Sequence, residues 1–185
     1  RVAPLVFGAY VPAMATAEIN GIPIRFEDSG GDGPAILFSH GFLMDHTMSD
    51  AQVAALSGDY RCIRWDERGF GDTPAPGPFS YWDSADDAAA LLAHLGVEAA
   101  VWVGMSQGGF LSWMPMGRER RAAGVMLEHA AGALLGRDDI TGRLGEIACP
   151  LMVIHGTADQ AIDISHGEAV EAAVSDGRGV VPVEG

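Results

Sequence analysis

The segment GMSQG at residues 104–108 carries the clearest chemical signal in the sequence. It fits the pattern G-x-S-x-G and lies between a predicted strand at residues 99–103 and a predicted helix at residues 108–118. A strand that turns abruptly into a helix holds its serine in a strained backbone conformation, and glycines on either side avoid collisions with neighbouring backbone. The pattern therefore predicts that Ser106 presents a nucleophilic hydroxyl at the carboxyl edge of a sheet, above a helix N-terminus.

A serine that attacks a carbonyl carbon needs hydrogen-bond donors for the oxyanion that forms. The backbone N–H of Gln107, directly after the serine, is the first predicted donor. The segment HGF at residues 40–42 follows another predicted strand, residues 36–39, and its Phe42 N–H is the second predicted donor. We interpret His40 as a residue that braces this loop rather than as a base.

The segment HGTAD at residues 155–159 follows a predicted strand at residues 151–154. A carboxylate at Asp159 could orient an imidazole ring and stabilise its cationic form. An aspartate in such a turn is equally an ordinary turn former. The residues alone leave both interpretations open.

Short β-rich runs and helical patterns alternate from residue 17 onward, which predicts an α/β fold with a mostly parallel sheet and helices on both faces. The clearest helix is residues 80–95, because acidic residues occupy its first half and Gly96 follows it. Pro115 is expected to kink or end the helix at residues 108–118 early. The remaining predicted strands are residues 22–27, 60–65, 124–127 and 180–183, and the remaining predicted helices are residues 48–56 and 164–174.

The composition restricts the classes of partner. The chain has 185 residues, which suits one domain with its own core. Its formal net charge of −14 repels phosphate backbones and anionic lipids, so we expect neither nucleic acid nor a membrane as partner. Cys62 and Cys149 form no disulfide framework and show no metal-ligand spacing. We expect a cytoplasmic protein that acts on small molecules.

Four segments in this order resemble the α/β-hydrolase superfamily, in particular its esterase, enol-lactonase and cofactor-free haloperoxidase branch: residues 40–42, 66–73, 104–109 and 155–159. The resemblance implies Ser106 as nucleophile and Asp159 as the acid of a catalytic triad. It also implies Phe42 and Gln107 as oxyanion donors, with no metal or organic cofactor. The serine at position 106 distinguishes this chain from the haloalkane dehalogenase and epoxide hydrolase branches, in which the nucleophile is an aspartate.

Two stretches depart from the family pattern. Members place a helical cap where this chain has only residues 130–150, so we expect the cap to be missing or vestigial. The family's catalytic histidine follows the last strand, here residues 180–183, and the chain ends at Gly185, so we expect a truncated C-terminus. Residues 1–13 are expected to be an appended or upstream-encoded segment before a hydrolase core at residues 14–185.

The absent histidine raises the question of which group serves as the base. His129 is the candidate substitute, because the strand before it is expected to adjoin the nucleophile strand. Glu128 is an alternative acid, since some relatives carry their acid after that strand. We expect His40, Met105 and Trp113 to line the substrate pocket.

The sequence predicts a serine hydrolase that cleaves carboxylic esters or lactones through an acyl-Ser106 intermediate. The alternative is a catalytically impaired hydrolase-fold protein that binds a small apolar ligand, because the expected catalytic histidine is absent. Without a full cap, apolar surface around Ser106 would be uncovered. We therefore expect two copies to pair through the active-site face.

Overall fold

The computed structural model describes residues 14–109, 139, 141–160 and 162–184. The chain divides into two compact units, Arg1–Arg137 and Asp138–Gly185. No helix in the described part of the chain is long and apolar enough to span a membrane. Several predictions fall outside the described residues: the segment at residues 1–13, most of the helix at residues 108–118, the strand at residues 124–127 and much of the short cap replacement at residues 130–150.

The first unit holds a five-stranded sheet in the order β1-β2-β4-β3-β5. Its strands are β1 Ala15–Ile19, β2 Ile22–Asp28, β3 Ala35–Ser39, β4 Arg61–Trp65 and β5 Ala100–Gly104. Its helices are α1 Asp50–Leu56 and α2 Tyr81–His94, with a 3₁₀ turn at His46–Ser49 before α1. Strand β3 pairs in parallel with β4 and β5, whereas β2 pairs antiparallel with β1 and β4. The predicted α/β class is confirmed, and the described sheet is mixed.

The antiparallel part of the sheet begins with a tight hairpin. Strands β1 and β2 are joined at Asn20 and Gly21, whose φ angles are 49° and 80°. Asparagine and glycine both tolerate this left-handed backbone, which matches the natural twist of a two-residue hairpin. Ile19 and Ile22 face each other across the turn. The sequence-based predictions did not include β1.

Helices α1 and α2 cover opposite faces of β3. Side chains alternate along a strand, so neighbouring residues point to different faces of the sheet. Ile36 and Phe38 pack in one core cluster with Val53 of α1. Leu37 belongs to a second cluster, which includes Leu91 of α2. The prediction of helices on both faces is therefore confirmed for the described sheet.

Helix α2 has local start and stop signals that match its predicted bounds. The Ser80 hydroxyl oxygen accepts a hydrogen bond from Asp83 N–H, and the Asp83 carboxylate accepts one from Ser80 N–H at 2.8 Å. This reciprocal arrangement satisfies two backbone donors that a helix start would otherwise leave unpaired. Gly96 follows the helix with a φ of 68°, a conformation that glycine adopts without steric cost.

A buried carboxylate ties α2 to the loop after β4 and to the hairpin. Asp87 is fully buried and accepts hydrogen bonds from Arg68 Nε at 2.5 Å and Nη2 at 2.6 Å. Asn20 Nδ2 donates to the same carboxylate at 2.9 Å. A buried charge needs such partners, because its desolvation is otherwise costly. The contact joins three segments of the first unit.

The second unit contains two parallel strands connected by a helix. Its elements are a 3₁₀ turn Thr141–Glu146, β6 Leu151–Gly156, α3 Ile164–Ala173 and β7 Gly177–Val183. Val153 pairs with Val180, and Gly156 pairs with Val183. The Asp163 carboxylate caps α3 by accepting from Ser165 N–H at 2.9 Å. The strand, helix and strand predicted in this region are confirmed.

Candidate active site

Ser106 occupies the sharp turn that the sequence predicts. It lies two residues after the end of β5, and its φ of 53° places it in the left-handed region. Residues 107–109 are already helical, with Gly109 N–H donating to the Ser106 carbonyl at 3.0 Å. A serine rarely adopts this conformation unless the surrounding structure imposes it, and such strain is concentrated at functional sites. The Ser106 side chain is exposed at this turn.

The glycines around Ser106 allow three backbone segments to approach closely. A Cβ atom on Gly104 would lie 2.1 Å from the Gly108 carbonyl oxygen. A Cβ atom on Gly108 would lie 2.2 Å from the carbonyl oxygen of Ser39, the last residue of β3. Met105 N–H donates to that same Ser39 oxygen at 3.3 Å. Side chains at positions 104 and 108 are therefore excluded by backbone atoms that cannot easily move.

The two predicted oxyanion donors lie on segments that meet at this turn. Within the described part of the chain, neither Phe42 N–H nor Gln107 N–H donates to another residue. The Phe42 ring packs edge-on against Phe70, with 5.8 Å between ring centroids. The next residue, Leu43, has a φ of 61°, so the backbone is strained directly beside Phe42. Their role as oxyanion donors stays a prediction.

Both ring nitrogens of His40 are hydrogen-bonded, one within this loop and one to the segment after β4. Its Nε2 accepts from Glu67 N–H at 3.0 Å, so the proton is on Nδ1, which donates to the Gly41 carbonyl at 2.8 Å. Burial lowers the pKa of the imidazole, and the bond to Gly41 partly opposes that effect. A neutral ring with both nitrogens occupied has the arrangement of a bracing residue. Its predicted place in the substrate pocket is untested.

A second carboxylate organises the loops on this side of the unit. Asp66 Oδ1 accepts from both the backbone N–H and Nδ1 of His46, at 2.9 and 2.7 Å. Its Oδ2 accepts from Asp72 N–H at 2.9 Å. Asp45, His46 and Asp66 place potential metal-ligand atoms within 4.8 Å of one another. Because His46 Nδ1 and Asp66 Oδ1 already bond to each other, the group works as a hydrogen-bonding cluster that joins two loops.

Glu67 is a site residue that the sequence analysis did not single out. Its side chain is fully buried, and its Oε2 accepts from Gln107 Nε2 at 2.5 Å. Tyr81 donates its hydroxyl proton to Gln107 Oε1 at 3.1 Å. Among the described residues, Glu67 Oε1 has no hydrogen-bond partner. Burial raises the pKa of Glu67 to about 8, only partly opposed by the Gln107 bond, so the carboxyl is largely protonated at neutral pH.

We expect Glu67→Gln to gain stability over the wild type as the pH rises. The ordinary pKa of glutamate is 4.5, so between that value and about 8 the folded protein holds a proton that the unfolded chain has lost. Ionisation then favours the unfolded chain, and wild-type stability falls with rising pH in this window. Glutamine has the same shape and does not titrate. The free energy of unfolding of Glu67→Gln should therefore rise, relative to that of the wild type, by a few kcal/mol between about pH 5 and about pH 8.

Urea unfolding of both proteins at these two pH values measures the change. Glu98→Gln, at an exposed glutamate, makes the same chemical substitution and should show no such growth. A Glu67→Gln advantage that is equal at both pH values would contradict a buried, protonated Glu67.

Asp159 lies in the second unit, on the loop after β6. Its backbone N–H donates to the Gly156 carbonyl at 3.3 Å, and its Oδ1 accepts from Ile162 N–H at 3.1 Å. These are the bonds of a turn-forming aspartate, one of its two predicted roles. Its role as a triad acid stays a prediction. His129, Glu128 and Trp113 lie outside the described residues.

Met105 is the remaining predicted pocket residue. Its methyl group would lie 2.6 Å from a Cβ atom on Gly41, so the side chain packs over the loop that carries Phe42. The side chain is also 47% exposed and lines a cavity of about 300 Å³ together with Met48 and Gln52. Met105 therefore lies between the Phe42 loop and this cavity.

Sequence comparison identifies relatives among hydrolases. A 3-oxoadipate enol-lactonase of Acinetobacter baylyi is 29% identical over 113 residues, which is 60% of this chain and 42% of the relative. An epoxide hydrolase of Siraitia grosvenorii is 37% identical over 53% of this chain and 32% of its own length. A bifunctional esterase/perhydrolase of Acinetobacter calcoaceticus is 37% identical over 49% of this chain and 34% of its own length. The chain thus matches between about a third and two fifths of these relatives.

A solved structure and a family model agree on the fold. The crystal structure of a hydrolase from Pseudomonas aeruginosa superimposes with a TM-score of 0.79, covering 92% of this chain and 89% of that chain at 23% identity. The model of the alpha/beta hydrolase fold matches residues 34–128, more than half of the chain. This chain belongs to the α/β-hydrolase family.

Proposed function

We propose that the chain is a serine hydrolase that cleaves carboxylic esters or lactones through an acyl-Ser106 intermediate. The observation that carries the proposal is the strained Ser106, with its φ of 53°, held between β5 and the helical residues 107–109. An enol-lactonase and an esterase/perhydrolase among the relatives support this substrate class, since a lactone is a cyclic ester.

The proposed reaction is a transfer of the acyl group to Ser106 and then to water. The Ser106 oxygen attacks the substrate carbonyl carbon, its proton passes to a base, and the carbonyl oxygen becomes an oxyanion. The proposed donors to that oxyanion are Phe42 N–H and Gln107 N–H. Neither of them donates to another residue in the described part of the chain. The tetrahedral intermediate then expels the alcohol, which takes up a proton, and water releases the acid from the acyl-serine.

The proton-transfer groups belong to the same proposal. We propose Asp159 as the acid that orients an imidazole, and His129 as the candidate base within this chain. Both His40 ring nitrogens are bonded, Nδ1 to the Gly41 carbonyl and Nε2 to Glu67 N–H, so His40 is not a free base in this arrangement.

The epoxide hydrolase relative makes epoxide opening the second candidate reaction. The residue type at position 106 argues against it. A carboxylate nucleophile forms an ester that water can hydrolyse, whereas a serine that opened an epoxide would form a stable ether. The nucleophile here is a serine, so we assign ester or lactone hydrolysis.

A serine-directed alkyl phosphonate should label Ser106 and no other serine. The reagent forms a phosphorus–oxygen bond to an activated serine and expels its leaving group, so peptide mass spectrometry of the digested protein identifies the nucleophile. Ser39 is the nearest informative comparison, because it is buried and its hydroxyl oxygen accepts from Trp65 Nε1 at 3.1 Å. Ser39 should therefore remain unlabelled.

Heat-denatured protein provides the control, because labelling that depends on the folded site should disappear. A label on Ser39 would overturn the assignment of Ser106. No label on any serine of the folded chain would favour the alternative, a hydrolase-fold protein that binds a small apolar ligand without cleaving it.

A further inference from the structure

The proposed oxyanion donors lie on two segments that are far apart in sequence and meet through Glu67. The first segment, residues 40–42, follows β3, and the second begins at Gln107 after β5. Glu67 follows β4, whose parallel partner β3 pairs in turn with β5. The end of β4 is therefore next to the first segment, and β3 lies between it and the second.

Glu67 bonds to one segment through its backbone and to the other through its side chain. Glu67 N–H donates to His40 Nε2 at 3.0 Å, and the His40 ring donates to the Gly41 carbonyl, directly before Phe42. Glu67 Oε2 accepts from the side-chain amide of Gln107, the residue whose backbone N–H is the other proposed donor. A continuous chain of hydrogen bonds thus runs from Gly41 to Gln107.

The side-chain amide of Gln107 is held from both ends. Tyr81 donates to its oxygen, and Glu67 accepts from its nitrogen. Gln107 is fully buried, so neither bond can be replaced by bulk water. A side chain fixed in this way restricts rotation of its own backbone, and therefore the direction of its backbone N–H.

We infer that Glu67 is a positioning residue of the oxyanion site, which sets the Phe42 and Gln107 amides relative to Ser106 by joining their segments. This inference rests on the proposed function. Glu67 is fully buried, and its backbone and side chain bond to His40 and Gln107, respectively. It acts through His40 and Gln107, in the way that supporting hydrogen bonds hold catalytic groups within a fraction of an ångström of their working position.

The charge state of Glu67 suits this role. A protonated carboxyl accepts the Gln107 bond without placing a negative charge next to the site where an oxyanion forms. Glutamine reproduces the shape, the neutrality and the accepting oxygen of that group. Leucine keeps a similar buried volume and removes the acceptor, so the two substitutions separate the hydrogen bond from packing.

The test compares phosphonate labelling of Ser106 in the wild type, Glu67→Gln and Glu67→Leu. We expect Glu67→Gln to label within about twofold of the wild type, and the maximal labelling rate of Glu67→Leu to fall about ten- to a hundredfold, because misplacing an oxyanion donor costs part of what its removal costs. The half-saturating reagent concentration should stay unchanged. Asp28→Asn is the control, an acid that pairs with Arg61 at the opposite end of β4 from Glu67, and it should label at the wild-type rate.

Amide resonances of Phe42 and Gln107 give a readout that does not depend on reactivity. In ¹⁵N-labelled free protein, both should shift in Glu67→Leu and stay near their wild-type positions in Glu67→Gln. If Glu67→Leu does not fold, Gln107→Met removes the same bond from its other end and should produce the same slower labelling and the same Phe42 shift.

The outcomes separate the inference from the function on which it rests. Wild-type labelling speed in folded Glu67→Leu, or unmoved amide resonances in that variant, would overturn the positioning role. A slow Glu67→Gln would also overturn it, because that variant keeps the bond. A wild-type chain that the reagent does not label would refute the proposed function, and the amide resonances alone would then decide whether Glu67 joins the two segments.

Discussion

Replacing Ser106 with alanine should lower the hydrolysis of a p-nitrophenyl ester by about a thousandfold or more. Loss of the nucleophile removes the covalent route, and only the oxyanion donors and substrate binding remain to favour attack by water. The substitution takes away a single oxygen at an exposed turn, so the protein should stay folded. Alanine also keeps a Cβ at the strained φ of 53°, so the steric strain of the backbone at position 106 stays about the same.

The measurement is the initial rate at saturating ester, with circular dichroism to check the fold. Ser57→Ala is a suitable control, because Ser57 lies at the C-terminal end of α1, away from the turn after β5. Retention of most of the rate in Ser106→Ala would exclude an acyl-Ser106 intermediate. An equal loss in Ser57→Ala would point to general damage rather than to a missing nucleophile.

Substitution of Gly108 by alanine should unfold or severely destabilise the first unit, by about 4 kcal/mol or more. The added Cβ would lie 2.2 Å from the Ser39 carbonyl oxygen and 2.7 Å from the His40 carbonyl oxygen. Both are backbone atoms at the end of β3, so relief requires the Ser106 turn and the sheet to separate. No rearrangement of side chains can remove the clash.

The neighbouring glycine provides a closely matched control. Among the described residues outside its own helix, the atom nearest to a Cβ on Gly109 would be the Gly104 carbonyl oxygen at 3.5 Å, an ordinary van der Waals contact. Gly109→Ala should therefore change the free energy of unfolding by about 1 kcal/mol or less. Thermal unfolding of the two variants checks the contrast. Equal stability of Gly108→Ala and Gly109→Ala would show that the turn does not pack as closely as the distances indicate.

Several elements of the fold were predictable because their signals are local. Helix α2 carries its start signal at Ser80 and Asp83 and its stop signal at Gly96, so its predicted bounds differ from the observed helix by one residue at each end. The hairpin between β1 and β2 was missed, although Asn20-Gly21 is a strong hairpin signal. In residues 15–19 polar side chains alternate mainly with alanines, which are only weakly hydrophobic. The alternation that predicts a strand is therefore faint in this edge strand.

Glu67 illustrates what a residue-by-residue interpretation cannot supply. In the sequence it is one of 25 acidic residues, beside Asp66 in a turn-rich segment. Its lack of exposure and its bond to Gln107 arise only when β3, β4 and β5 pair in register. The unusual pKa follows from that burial. No local pattern distinguishes a buried glutamate from a solvated one.

The sequence by itself determined the conformation at Ser106, because the steric needs of a strand-to-helix turn act over a few residues and appear directly as GMSQG. Tertiary structure decided what supports that turn. The contacts from Glu67 to Gln107 and to His40 join residues 40 and 27 positions apart, respectively. Such contacts depend on which strands become neighbours in the sheet, and that choice is made by the packing of the whole unit around its core.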